Sequence, residues 1–247
     1  MAIKIGELEA LFRYPVKSMS GEALEAAELG WHGLDGDRRL ALRRIDDRGG
    51  FPWLTATQLP ELILFAPVRK AAEGLPTHVR TLEGEELALF GQQLAAAFSR
   101  RHGSPVEMTH LNRGIFDEAS VSVITSATVA GIAELVWHRP DVRRFRPNIL
   151  VSSLRSDPFE EDAWVGGLLS FGEGDQAATI AVTNRDERCS MVNLDPDSTR
   201  PAPEVLKAVV RDRDNKAGVY GTVIRCGRLA VGQPLYFSPA VGYRGRQ

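Results

Sequence analysis

Apolar residues recur at every second position through much of this chain. Ile3-Lys4-Ile5-Gly6-Glu7-Leu8-Glu9-Ala10-Leu11-Phe12 alternates by two, the spacing of a strand with one face in a core. Arg39 to Asp46 predicts a second strand, ended by the turn Asp47-Arg48-Gly49-Gly50. Leu62 to Val68 reads as a buried strand, and His78 to Leu89 as a hairpin turning near Gly84. Further strands are predicted at 148–151, 178–182, 221–227 and 232–237. Helical spacing is confined to Gly91–Arg101, Ser126–Val136 and Pro203–Val210, the second introduced by the capping pair Thr125-Ser126. Short strands, Gly/Pro turns and few helices predict a β-barrel-like architecture without the strand–helix alternation of a parallel sheet. The polar stretch 102–118 marks the expected seam between two halves.

Composition narrows the class. The 247 residues are 43% hydrophobic and 25% charged, as in an ordinary globular protein able to bury a sizeable core. A net charge of −2 gives no reason to expect nucleic acid or an anionic membrane as partner. No apolar run approaches the ~18 residues that span a bilayer, and the N-terminus lacks a secretory pattern. With only two cysteines, the expected location is a reducing, cytoplasmic compartment. P-loop and nucleophile-elbow sequences are missing. His32, His78, His102, His110 and His138 form no metal-binding pair by spacing, so any metal is expected to have few protein ligands or to arrive inside a cofactor.

Five segments carry candidate chemistry. Cys189 lies beside Arg188, ahead of the turn Leu194-Asp195-Pro196-Asp197. Adjacent positive charge favours a thiolate, which is both a nucleophile and a soft metal ligand. The plain alternative is a small apolar core residue, since free cysteines are often buried. Lysine is rare, five against 25 arginines, and Lys17 and Ser18 sit in Tyr14-Pro15-Val16-Lys17-Ser18, suited to holding a phosphate. Arg38 follows Asp37 at a strand start. Arg143-Arg144-Phe145-Arg146-Pro147-Asn148 crowds three arginines before a buried strand, and Pro147 restricts the chain around Arg146. Tyr220 is flanked by Gly218 and Gly221. Taken one at a time, the last four are better explained by a loop lysine, a surface Asp–Arg pair, a solvated basic patch and a β-turn. Together they suit an anionic, metal-bearing ligand.

In this order, these motifs resemble MOSC-domain proteins across essentially the whole chain. The nearer resemblance is to the branch with an N-terminal MOSC β-barrel domain, which includes the mitochondrial amidoxime-reducing component and its bacterial relatives. The resemblance implies a β-rich α+β fold: an N-terminal MOSC β-barrel domain over residues 1–110, then a MOSC β-barrel domain with a few helices over 111–247. It implies a molybdenum cofactor, molybdopterin with molybdenum, whose metal is ligated by Cys189. Lys17, Ser18 and Arg38 would hold the pterin and its phosphate, with Ser120, Arg146, Asn148, Arg188 and Tyr220 as further pocket positions. Ala119 stands where eukaryotic relatives carry a hydroxyl. The implied activity is reduction of N-hydroxylated compounds. The ten residues after Phe237 are too short for the iron–sulfur domain some bacterial relatives append, and two cysteines cannot supply an ordinary cluster. Electrons are therefore expected from a separate flavin or iron–sulfur protein. Two alternatives remain: a carrier that delivers cofactor or persulfide sulfur without turnover, and a binding protein whose site has decayed. Cys226 reads as a structural strand residue.

Overall fold

The computed structural model describes residues 2–71, 74–137, 139 and 141–239; His138 and the end of the tail, from Ala240, lie outside the described residues. The first strand, β1 (Ile3–Arg13), buries Leu8 and Leu11 on one side. A register break between Leu8 and Ala10 lets both face the same core although they are three residues apart. Gly6 permits the close approach of the neighbouring strand: a Cβ there would sit 2.3 Å from the Ser152 carbonyl oxygen.

The chain then builds a smaller unit. After β2 (Glu22–Leu24), β3 (Ala26–Gly30) and β4 (Gly33–Leu34), which put Leu29 and Leu34 into the larger core described below, it comprises β5 (Leu40–Arg44), β6 (Ala66–Val68), β7 (His78–Arg80), β8 (Glu86–Ala88), α1 (Gln92–His102) and β9 (Val106–His110). Strands β5 and β9 pair antiparallel, and β6, β7 and β8 form a meander turning at Gly84, whose φ is 87°. Val16, Leu40, Leu42, Leu54, Phe65, Phe98 and Val106 make its core, with the Phe65 and Phe98 rings 4.7 Å apart.

The second unit adds β10 (Val121–Thr125), α2 (Ser126–Val136), β11 (Ile149–Ser153), β12 (Leu168–Phe171), β13 (Ala178–Glu187), α3 (Pro203–Arg213), β14 (Lys216–Arg225), β15 (Gly227–Ala230) and β16 (Pro234–Ser238). Seven strands close a barrel in the order β11, β10, β14, β13, β12, β16, β1 and back to β11. Closure leaves no exposed edge in that ring. The barrel encloses Leu8, Leu11, Val123, Ile149, Val151, Phe171, Ile180 and Val219. Helices α2 and α3 cover its outside through Val129, Ile132, Val205 and Val209.

Two local expectations are corrected, and one strand went unmarked. Residues 62–68 do not form one strand, because Pro60 starts a 3₁₀ turn over Pro60–Leu64 and only Ala66–Val68 is extended. Strand β9, within the stretch 102–118, went unmarked because Glu107, Thr109 and His110 mask its alternation. One strand–helix–strand unit does occur: β10 and β11 pair in parallel, and α2 makes the crossover.

Thr125 fastens this crossover. Its hydroxyl caps α2 by accepting from Thr128 N at 3.1 Å, and it donates to the buried Glu161 carboxylate at 3.0 Å. Burial raises the Glu161 pKa, against the donors around it. Replacing Thr125→Val is expected to cost about 2 kcal/mol, from a lost cap and a lost buried donor. Urea unfolding monitored by circular dichroism measures it.

Candidate functional site

Two sequence motifs are stitched together where the units meet. Arg38 N donates to Tyr14 O at 2.7 Å, Lys17 N to Leu40 O at 2.8 Å, and Leu40 N to Pro15 O at 3.1 Å. The fully buried Asp37 carboxylate accepts from Tyr14 N at 2.7 Å and from the Arg38 guanidinium at 2.5 Å. Arg38 then donates across the interface to Arg146 O at 3.0 Å. The guanidinium carbons of Arg38 and Arg146 lie 4.9 Å and 4.2 Å from the Tyr14 ring centroid. Tyr14 is thus a platform for two cations, and Gly21 makes room for it: a Cβ at Gly21 would meet the ring at 2.4 Å.

These residues open onto a cleft of ≈ 270 Å³. Lys17, Ser18, Arg38, Arg144, Arg146, Arg188, Cys189 and Tyr220 line it, facing Phe51, Thr55, Thr57, Asp117, Ser122, Asp186, Glu187 and Met191 among others. Five cationic side chains stand against three carboxylates, so the cleft favours an anion. Burial lowers the Lys17 pKa, while Asp117 at 2.8 Å pulls it back up. Burial brings Arg146 down to about 10, which leaves it a cation at neutral pH. Its Nη2 is buried with no hydrogen-bond partner among the described residues. An anion in the cleft would meet that unused donor.

Backbone conformation sets the cleft as much as side chains do. Ser18, Arg38 and Arg146 all occupy the left-handed region, with φ of 66°, 48° and 50°. Each such non-glycine residue costs roughly 1–2 kcal/mol, and strained backbone of this kind clusters at functional sites.

Cys189 is exposed, which removes the reading of it as a core residue. It ends an extended segment and leads into the 3₁₀ turn Ser190–Asn193. Arg188 before it is buried and held by two backbone carbonyls and an ion pair. Its Nε donates to Ala217 O at 2.7 Å, its Nη1 to Phe145 O at 2.8 Å, and its Nη2 lies 2.9 Å from Asp186 Oδ2, though out of line for a hydrogen bond. Gly218 provides the space, since a Cβ there would stand 3.0 Å from Arg188 Nη2 and 2.8 Å from Val123 O, at φ 80°. Arg188 is therefore an anchor that points the next residue outward.

The acidic turn is also explained. Arg144 donates to Val192 O, Asn193 O and Asp195, and Arg143 pairs with Asp141 and Asp197 at 2.8 Å and 2.7 Å. The basic run 143–146 and Asp195-Pro196-Asp197 thus clamp the turn that carries Cys189.

Ser120 and Asn148 lie elsewhere. Asn148 ties strands together: its Oδ1 accepts from Ser122 N at 3.1 Å and its Nδ2 donates to Phe12 O at 3.3 Å. The Ser120 backbone packs against Gly33, where a Cβ would meet Ser120 O at 2.4 Å. Ser122, Asp186, Asp117, Phe51, Thr55 and Thr57 line the cleft without having been singled out in the sequence, where they carry no local signal. Cys226 is half-buried between β14 and β15. No group of three or more His, Cys, Asp or Glu suited to a metal ion occurs among the described residues. No described helix is long and apolar enough to cross a membrane.

The comparisons agree with this architecture. A family model described as "MOSC domain" matches residues 99–236, and one described as "MOSC N-terminal beta barrel domain" matches 5–121. Over 133 residues the chain is 30% identical to mitochondrial amidoxime reducing component 2 from Bos taurus, spanning 49% of this chain and 37% of that protein. The crystal structure of the YUAD protein from Bacillus subtilis superposes with a TM-score of 0.53 at 14% identity, covering 96% of this chain and 98% of that one. Its likeness is one of fold.

Two predictions follow from the anchor. Arg188→Met leaves Asp186 buried without its cation, and the expected loss is about 3–5 kcal/mol in urea unfolding at neutral pH. Burial, against Arg188 and the Ser122 hydroxyl, raises the Asp186 carboxyl from 3.8 to about 6. The folded state then holds this proton more tightly than the unfolded chain. Its stabilising contribution is complete below pH ~4 and lost as pH rises through about 6, on the order of 3 kcal/mol. Unfolding free energies across that range in Asp186→Asn should lack this slope.

Proposed function

Because this chain belongs to the MOSC family, we propose that its cleft holds a molybdenum cofactor and that the protein reduces N-hydroxylated compounds there. The observation that carries the reading is an exposed Cys189 thiol at a cationic cleft, next to an Arg188 anchored on two backbone carbonyls. A thiolate is a soft ligand suited to molybdenum, and one is enough for a metal that arrives with its own sulfur donors. The unused Arg146 Nη2 and the cationic excess suit the cofactor's phosphate.

In this reading Lys17, Ser18, Arg38 and Arg146 hold the anionic end of the cofactor, and Tyr220 and Arg188 shape the wall around it. When bound, the group supplies a metal able to accept an oxygen atom with a two-electron change in oxidation state. The protein's part is placement. The Tyr14 platform keeps two guanidinium groups in position, and the Asp195–Asp197 clamp fixes the Cys189 turn. Electrons come from a separate flavin or iron–sulfur reductase, and the substrate is a small N-hydroxylated molecule. The relative whose printed name includes amidoxime reducing supports this substrate class.

The exposed thiol also favours a second reading, a carrier that presents cofactor or persulfide sulfur to a partner. Molybdenum and pterin content separate the two when measured on protein from a host that makes the cofactor. Near one of each per chain is expected, with metal lost or strongly reduced in Cys189→Ala. With a chemical reductant, the wild type should then reduce N-hydroxylated test compounds while Cys189→Ser does not. Full turnover by Cys189→Ser would sink the reductase reading. A loaded wild type without turnover, or persulfide on Cys189, would favour the carrier.

A further inference from the structure

Asp186 is the buried titratable group of the cleft that cofactor holding does not use. It lies on β13, three residues before Cys189, and is 1% exposed. Its Oδ2 accepts from Ser122 Oγ at 2.8 Å and faces Arg188 at 2.9 Å. Its Oδ1 is equally buried and has no well-formed hydrogen bond among the described residues. An ionised carboxylate has room for about four hydrogen bonds, and leaving one oxygen bare in a low-dielectric site is costly. A proton on that oxygen removes the charge and turns the bare atom into a donor.

The surroundings decide whether the proton stays. Arg188 on the same segment, the Tyr220 phenol from β14 and the Ser122 hydroxyl from β10 favour the carboxylate, as does Arg38 from the loop before β5. Burial outweighs all of them and brings the carboxyl up to about 6. The other two carboxylates of the cleft lie toward water: the Asp117 side chain is 65% exposed and Glu187 is exposed. Asp186 is therefore the one carboxyl group lining the cleft, among the described residues, that is shut away from water. An anion drawn in beside it would shift the group further toward its protonated form.

We propose that Asp186 is the proton donor of the cleft, giving a proton to the oxygen that leaves an N-hydroxylated substrate. The inference rests on the reductase reading. Reduction of R–NHOH takes two electrons, from the separate reductase, and two protons. The N–O bond breaks, nitrogen ends as R–NH₂ and oxygen leaves as water. Asp186 supplies one proton and is reprotonated from solvent, and solvent supplies the other through the open side of the cleft. A buried carboxylic acid tuned toward the working pH suits this role.

The first test needs no turnover. Difference infrared spectra of the cofactor-free protein, taken through the neutral range, should show one buried carboxyl titrating near pH 6, absent in Asp186→Asn. The second test is the pH–rate profile of the molybdenum-loaded protein with dithionite as reductant. Wild-type turnover should fall as pH rises past the carboxyl's pKa. Asp186→Asn, at unchanged molybdenum content, should be slower by about 10²–10⁴-fold with that alkaline limb gone, and Asp186→Glu should restore part of both. The Glu variant keeps the test sound if the Asn variant folds poorly. Absence of the infrared transition overturns the inference. So does an Asp186→Asn enzyme, fully loaded, that keeps the wild-type rate and profile. A loaded wild type with no turnover at all removes the reductase reading and this role with it, a result distinct from both.

Discussion

The site depends on one buried cation. Arg188 is held by Ala217 O, Phe145 O and the Asp186 carboxylate, contacts that come from three parts of the barrel unit. A charge taken out of water must be paired and hydrogen-bonded, and few arrangements satisfy a guanidinium from three directions at once. Once Arg188 is fixed, the chain has little freedom at the next residue, and Cys189 faces outward. Gly218 belongs to the same constraint, because any side chain there would strike the guanidinium or the β10 backbone. A thiol on a free loop would have offered a metal many geometries, whereas this one offers few.

The second organising element is the Tyr14 platform. Asp37 and Arg38 bind it to the segment that leads into β5 of the smaller unit, and Arg38 reaches on to the carbonyl of Arg146 in the barrel unit. The ring is so deeply buried that its hydroxyl pKa is pushed up to about 12. It therefore remains neutral and keeps two arginines side by side without neutralising either. Like charges held this close repel. The fold tolerates the arrangement through Asp37, through ring contact and through left-handed backbone at Arg38 and Arg146. An anionic ligand would relieve the repulsion, so the cleft binds best what its own packing leaves unsatisfied.

The local elements were legible in the chain because they follow from local chemistry. Strand patterning marked β1, the hairpin at Gly84 and the barrel strands β11, β13, β14 and β16, though not β10 or β12, and Thr125-Ser126 marked the start of α2. The failures have local causes as well. Pro60 turned an apolar run into a 3₁₀ turn, and polar side chains hid β9. The parallel pairing of β10 with β11 was invisible because a crossover is a relation between strands, and α2 alone does not reveal which strands it joins.

By itself, the sequence determined the residue types of the site and the order of the motifs that carry them: Lys17 and Ser18, Arg38, Arg146, Arg188 with Cys189, and Tyr220. Scarcity made them visible, since a rare lysine and a nearly lone cysteine stand out in an arginine-rich chain. Only the tertiary structure decided their roles. It turned Arg188 inward as an anchor, placed Asn148 in the strand ties, paired the basic run with the Asp-Pro-Asp turn, and brought Ser122 and Asp186 to the cleft. The physical reason is that burial and partnership are properties of neighbours distant in sequence. Whether an arginine is solvated, structural or free to bind depends on which carbonyls and carboxylates the closed barrel sets around it.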